Sequence, residues 1–308
     1  MTQKNKYIIG LGSLQSVLLV LMAMVCISCV ESFVPETDTF EDALVIEATI
    51  TNEVKQQQVI LNRAFRLEDL VPQPETNARV TIMDDQDNEF VFQEMTPGTY
   101  RSVTNFGITP GRTYQLLVTT SNGKEYQSNP VLALEPSPIE GLKASRTTQD
   151  GKEGMQILVE YNNPQQSKFF RYKYEETYKI IAPEWSGQTL RVMGGALVVW
   201  PLAPGVEERT CFQSESSEDI ILNRPQESNS GNVQGFPVRF IGRDNYIISH
   251  RYAILVKQLA ISEESYSYLE TLEEANGGDD LFSPSQPGFF SGNVQSTNNA
   301  NEKVLGFF

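Results

Sequence analysis

The chain has 308 residues, enough for two ordinary domains, and its 24 basic and 39 acidic side chains give a formal charge of −15. A surface that acidic argues against nucleic acid and against anionic lipid headgroups as partners. Three cysteines (Cys26, Cys29, Cys211) and a single histidine, His250, exclude a disulfide scaffold, most zinc sites and most Ser–His catalytic arrangements.

At the start, Lys4 and Lys6 precede an apolar run from Ile8 to Val25, and Ser28 stands immediately before Cys29. A short basic start and a greasy middle make a secretory signal. A small residue before a cysteine makes it a lipoprotein signal, because the thiol is the nucleophile that takes a diacylglycerol and the peptidase tolerates only small side chains at the preceding position. The pattern predicts a signal peptide over residues 1–28 and lipid attachment at Cys29, with palmitate among the acyl chains. At about 0.8 kcal/mol per buried methylene, two or three such chains give a lasting anchor. The rival readings are an uncut transmembrane helix, for which the run is just long enough, and ordinary secretion. Gly10, Gly12, Ser13, Gln15 and Ser16 dilute the run, and a bare span leaves Cys29 without a role. Cys26 is a poorer acylation site behind Met24 and Val25. With the signal removed, 22 basic residues face 39 acidic ones.

Residues 29–42, with Glu31, Glu36, Asp38, Glu41 and Asp42, read as a solvated acidic tether. Residues 43–135 read as a β-sandwich of immunoglobulin or transthyretin type. Seven short runs rich in branched and aromatic residues (Leu44–Ile50, Val59–Ala64, Ala78–Met83, Phe90–Gln93, Tyr100–Val103, Thr113–Thr120 and Glu125–Ser128) alternate with turn signals. Ser121-Asn122-Gly123 predicts a type I′ hairpin, and Pro97-Gly98 and Pro110-Gly111 predict two further turns. The acidic run from Asp84 to Glu89 has oxygens enough for calcium but lacks the central glycine and distant glutamate of an EF-hand, so a solvated loop is the preferred reading.

Pro136 and Pro138 mark residues 136–145 as a linker. Residues 146–308 then read as a second β-rich domain, with strands over Gln156–Tyr161, Phe169–Ile181, Thr189–Trp200, Phe236–Ile241 and Tyr252–Leu259, and with acidic and Ser/Asn-rich loops between Pro201 and Gly235. One helix is predicted over residues 262–275. Ser262 is a good N-cap, Glu263 and Glu264 suit the first turn, Tyr266, Leu269 and Leu272 space an apolar face, and Asn276-Gly277 ends it. Tyr268 falls off that face, with packing against the sheet as its expected use. Cys211 is expected as a small buried apolar residue, and His250 as a structural residue at the head of a strand. Gly288–Val294 and Val304–Phe308 read as closing strands, and the abrupt end suggests a truncated chain.

Several of these segments resemble a known family. Phe236-Pro237-Val238-Arg239-Phe240-Ile241, the strand from Arg251 to Ser262, the helix, Gly292-Asn293-Val294 and Val304-Leu305-Gly306-Phe307-Phe308 look like the Bacteroidota lipoproteins with domain of unknown function 4249. Thr210-Cys211-Phe212 stands where that family often has a Cys-Trp pair, and Gln295 and Ser296 stand where a second cysteine is common. The resemblance implies a setting and no chemistry: outer-membrane lipoproteins commonly encoded beside TonB-dependent receptors. The acidic tether also resembles surface-export signals, which implies the cell surface. The resulting expectation is a non-enzymatic accessory lipoprotein working with an outer-membrane β-barrel, a TonB-dependent transporter first among candidates, with no cofactor. A free-standing glycan- or protein-binding module is the alternative, using Trp185, Trp200 and tyrosines to stack on a ligand. Acid pairs such as Glu175-Glu176 and Glu207-Glu208 are expected by chance among 39 acids and carry no enzymatic assignment.

Overall fold

A computed structural model describes residues 43–64, 72–162, 169–203, 209–225, 232–276 and 290–308. The signal segment, Cys29 and the acidic tether lie outside these residues. The described protein is mainly β with a single α-helix.

The first strands are β1 (Leu44–Ala48), β2 (Gln58–Arg63), β3 (Gln73–Pro74), β4 (Arg79–Asp84), β5 (Glu89–Thr96), β6 (Thr99–Ser102), β7 (Thr113–Thr119), β8 (Glu125–Ser128) and β9 (Val131–Leu132). Their period-two patterning is clear in β1, where Leu44, Ile46 and Ala48 are buried, and in β7, where Tyr114, Leu116 and Val118 are. These side chains meet Val59, Leu61, Val80, Ile82, Phe92, Tyr100 and Tyr126 in one core. Each large apolar side chain removed from water contributes roughly 1.5–3 kcal/mol before entropic costs.

Two hairpin loops in this sheet share one geometry. Between β4 and β5, Asp87 N–H donates to the Asp84 carbonyl at 3.1 Å and Asp87 has φ 59°. Between β7 and β8, Gly123 N–H donates to the Thr120 carbonyl at 2.9 Å and Gly123 has φ 82°. Each is a type I turn followed by one left-handed residue, the three-residue hairpin loop. The expected type I′ turn at Asn122-Gly123 is therefore corrected, since Asn122 keeps a negative φ and its side chain instead accepts from Thr120 Oγ1 at 2.7 Å.

The chain continues through β10 (Ile139–Gln149), β11 (Lys152–Asn162), β12 (Phe170–Ile181), β13 (Gln188–Met193), β14 (Ala196–Pro201), β15 (Thr210–Ser216), β16 (Ile221–Asn223), β17 (Asn232–Gly242), a 3₁₀ turn (Tyr246–Ile248), β18 (Tyr252–Ala260) and helix α1 (Glu263–Asn276). The linker expected at residues 136–145 is strand from Ile139 onward. β10 has no buried residue, so it lacks the alternation that marks a half-buried strand, and the prolines before it read as a break. The single run expected over Thr189–Trp200 is a hairpin turned by Gly194-Gly195, whose φ values are 57° and 82°. Residues 210–216 and 221–223 are strands where loops were expected.

β12 is central to this half. It pairs with β18 on one edge and with β15 and β16 on the other, while β10, β11 and β17 form a separate three-stranded sheet. Phe170, Tyr172 and Tyr174 of β12 pack against Ile157, Val159 and Tyr161 of β11 and Val238 of β17, joining the two sheets face to face. A buried polar tie crosses the same interface. Arg239 of β17 donates to both carboxylate oxygens of Glu176 on β12, at 2.8 and 3.1 Å, and Tyr252 Oη donates to the same carboxylate at 2.8 Å. Helix α1 starts as expected, with Ser265 N–H donating to Ser262 Oγ at 3.1 Å. Its Tyr266 and Leu269 are buried.

The final strands, β19 (Val294–Ser296) and β20 (Val304–Phe307), return to the first sheet. β20 runs parallel to β1, with Leu44 opposite Val304, and β19 runs antiparallel to β8, with Val294 opposite Ser128. The second domain expected over residues 146–308 thus surrenders its last strands to the first. The completed sheet has eleven strands in the order β19-β8-β7-β4-β5-β6-β2-β1-β20, with β3 paired to β2 and β9 to β7.

The two ends of that order meet. Asn293, just before β19, donates from Nδ2 to the Phe308 carbonyl at 3.0 Å and accepts the Phe308 N–H on Oδ1 at 2.8 Å, while its own carbonyl accepts from Asn129 N–H at 2.8 Å. A side-chain amide thus stands in for a missing ladder rung, and the sheet closes in a barrel-like manner with no free edge at this point. The approach is possible because Gly292 and Gly306 have no side chains. A Cβ on Gly292 would strike the Gly306 carbonyl oxygen, and one on Gly306, at φ 129°, would strike that of Ile46.

Asn293→Ala removes the partner of a half-buried N–H and a half-buried carbonyl and is expected to lower stability by about 1 kcal/mol in urea titration. A second expectation concerns acid. Burial raises the Asp84 carboxyl pKa, but donation from the Asn88 side chain and from the Asn88 and Gln86 N–H groups, with the charge of Arg112, outweighs it and holds the group below its ordinary value. A depressed carboxyl contributes stability above its unfolded pKa, about 3.9, that is lost as pH falls through the folded value. The melting temperature of the parent protein should therefore fall more steeply below about pH 4 than that of Asp84→Asn.

Candidate functional site

The residues singled out by sequence are scattered. Cys29 lies outside the described residues, as do Glu207 and Glu208. Cys211 is exposed on β15, which corrects the expectation of burial: the strand is an edge whose residues beyond Thr210 all face solvent. His250 is also exposed, at the turn before β18, and has no core role. Asp84 is committed to the hairpin loop through its hydrogen bonds, and among the described residues no three His, Cys, Asp or Glu side chains are grouped to hold a metal. Glu175 and Glu176 point to opposite faces of β12, the first exposed and the second tied to Arg239, so they form no carboxylate pair. Tyr268 packs against Phe307 at 5.7 Å, as expected.

Two other features stand out. The first is a cleft of about 620 Å³ between the outer surface of β1, β2 and β20 and a floor made by β12, β18 and α1. The alternation of β12 builds it. Because Phe170, Tyr172 and Tyr174 fill the core between the two C-terminal sheets, Arg171 and Lys173 project from the opposite face into the cleft. Apolar side chains surround them, including Val45, Ile60, Leu259, Leu269 and Phe307. Arg171 Nε is buried without a hydrogen-bond partner among the described residues. No carboxylate lies within ion-pair distance of Arg171 or Lys173 among the described residues. Burial lowers the pKa of Arg171, with Glu47 opposing it, and burial and then repulsion from Arg171 lower that of Lys173. The pairing Arg-Tyr-Lys-Tyr was visible as an alternating strand, yet nothing local says which face is core.

The second feature is the β13–β14 ribbon, which pairs with no other strand among the described residues. Register places Leu190 opposite Val199 and Val192 opposite Leu197, so these four side chains share one face. They are 66, 57, 72 and 72% exposed respectively. Trp185 and Trp200 are also exposed, at 40 and 42%, against the usual placement of aromatics in β-domain cores. Two-stranded ribbons are marginal alone, and contiguous exposed aliphatic side chains mark contact surfaces. The sequence signal was present in Gly194-Gly195 between two branched runs.

No helix among the described residues is long and apolar enough to cross a membrane. A comparison with curated proteins gives no match. A family model does match, over residues 30–308, which takes in both halves of the fold, the cleft and the ribbon. Gly292-Asn293 and Gly306, which lie in two of the segments on which the resemblance rested, are the residues that close the first sheet. By that match the chain belongs to the family described as domain of unknown function 4249 (DUF4249).

Proposed function

We propose that the protein is a non-enzymatic lipoprotein of the outer membrane, tethered through acylated Cys29 and displayed on the cell surface. There it serves as accessory subunit of an outer-membrane β-barrel complex, with a TonB-dependent transporter as the first candidate partner. The observation that carries this reading is the aliphatic face of the β13–β14 ribbon, which is matched to an apolar protein surface. A lipid surface is the poorer match, because a mature chain with 22 basic against 39 acidic residues is repelled by anionic headgroups. The ribbon anchors an interface on the order of 1,000 Å² or more. The exposed Trp185 and Trp200 favour a second reading, a free-standing glycan- or protein-binding module. Neither reading involves nucleic acid.

Affinity purification of the lipidated protein from native outer membranes in mild detergent should recover a stoichiometric β-barrel protein. The double variant Leu190→Ser, Leu197→Ser should lose that partner while keeping its melting temperature, because exposed substitutions change stability by only about 0.5 kcal/mol. A parent protein recovered alone transfers the weight to the second reading. Anchor and exposure are checked separately. The parent protein should incorporate labelled palmitate and Cys29→Ala should not, and protease added to intact cells should clip the parent protein. Full protection of the parent would rule out surface display.

A further inference from the structure

We infer that the cleft beneath the first sheet is a binding site for an amphipathic anion, a single carboxylate or phosphate head carrying an apolar chain. A volume of about 620 Å³ falls within the range of small-molecule sites. Its chemistry is divided in the way such a ligand demands. Val45, Ile60, Leu259, Leu269 and Phe307 give apolar walls, and Arg171 and Lys173 give two cations side by side on one strand face.

The protein's own groups leave this pair poorly served. Both side chains are half-buried. Even partial withdrawal of a cation from water without a partner is costly, and here two like charges are placed together, with Arg171 Nε buried and without a hydrogen-bond partner among the described residues. Glu47 acts on both, but across the cleft rather than in contact, and it is itself exposed. A structural ion pair would resemble Arg239–Glu176 in the neighbouring interface, where each oxygen is within hydrogen-bond reach. The contrast between the two arginines separates a tie from a receptor. An anionic head between Arg171 and Lys173 supplies the missing acceptor, and its chain lies along the apolar walls, displacing water from them.

The test titrates full-length protein, in uncharged maltoside micelles, with octanoate, octyl phosphate and octanol by calorimetry. At least one of the two anions should bind saturably, and the head that binds tells a free fatty acid from a phosphate-headed lipid. Octanol should bind at least about tenfold more weakly, as expected when a charge-assisted contact is lost. The variant Arg171→Gln, Lys173→Gln should lose the anion by a similar factor, yet melt unliganded at the same or a higher temperature, since it removes desolvated charge. Glu47→Gln, at an exposed position, should bind the anion more tightly. Equal heats for parent and double variant, which signify micelle partitioning alone, would overturn the inference. So would no saturable binding of either anion, or a double variant and Glu47→Gln that both melt several degrees lower, which signify a structural charge cluster.

Discussion

The first sheet depends on one side-chain amide. Asn293 reads the backbone of Phe308 as a neighbouring strand would, donating to its carbonyl and accepting from its N–H. An asparagine can do this because its amide copies the peptide group, and Gly292 and Gly306 let the two backbones come near enough. Without that clasp, β19 and β20 would be two open edges with unpaired N–H and C=O groups. The closure also fixes the position of Phe307 and Leu305, which line the cleft, so the clasp sets the shape of the candidate site as well as the sheet.

β12 is the second organising element, because it serves two interfaces at once. Its tyrosines and Glu176 face the three-stranded sheet, and Arg171 and Lys173 face the first sheet. A one-residue slip in its register would exchange the two sets, turning Arg171 and Lys173 into an aromatic core and exposing the aromatic residues. The Arg239–Glu176 tie, together with Tyr252, opposes that slip, since only one register brings Glu176 beneath Arg239. Buried ion pairs add little net stability, but they discriminate between arrangements of similar hydrophobic content.

Much of the fold was legible in the sequence. Strands β1, β2 and β4 to β8 announce themselves through branched residues and turn chemistry, and α1 through Ser262 and its spaced apolar face, because those signals are local; the two-residue β3 and β9 carry no such signal. What escaped was of two kinds. β10 and β15 lie with little or nothing buried, so no hydrophobic period marks them. Cys211 was misplaced for the same reason. The destination of β19 and β20 escaped because pairing across the whole chain leaves no trace in a short window, although the glycines and asparagine that make it possible were visible as a motif. The candidate site was the least legible part. Arg171 and Lys173 read as the polar face of an ordinary strand, and only the packing of the other face shows that they look into a cleft.

The parallel pairing of β1 with β20 joins Leu44 to Val304, residues about 260 positions apart. The loop closed by that contact takes in almost the entire described fold, and contacts of such long range slow folding. It follows that the first sheet cannot finish as its own strands emerge from the ribosome at about 5–20 residues per second. It waits, with one edge of β1 and one edge of β8 open, until residues 293–308 are made. A chain whose earliest described strand is completed by one of its latest keeps the seam of its first sheet open until its last residues are made, even where the sheets of its second half have already formed.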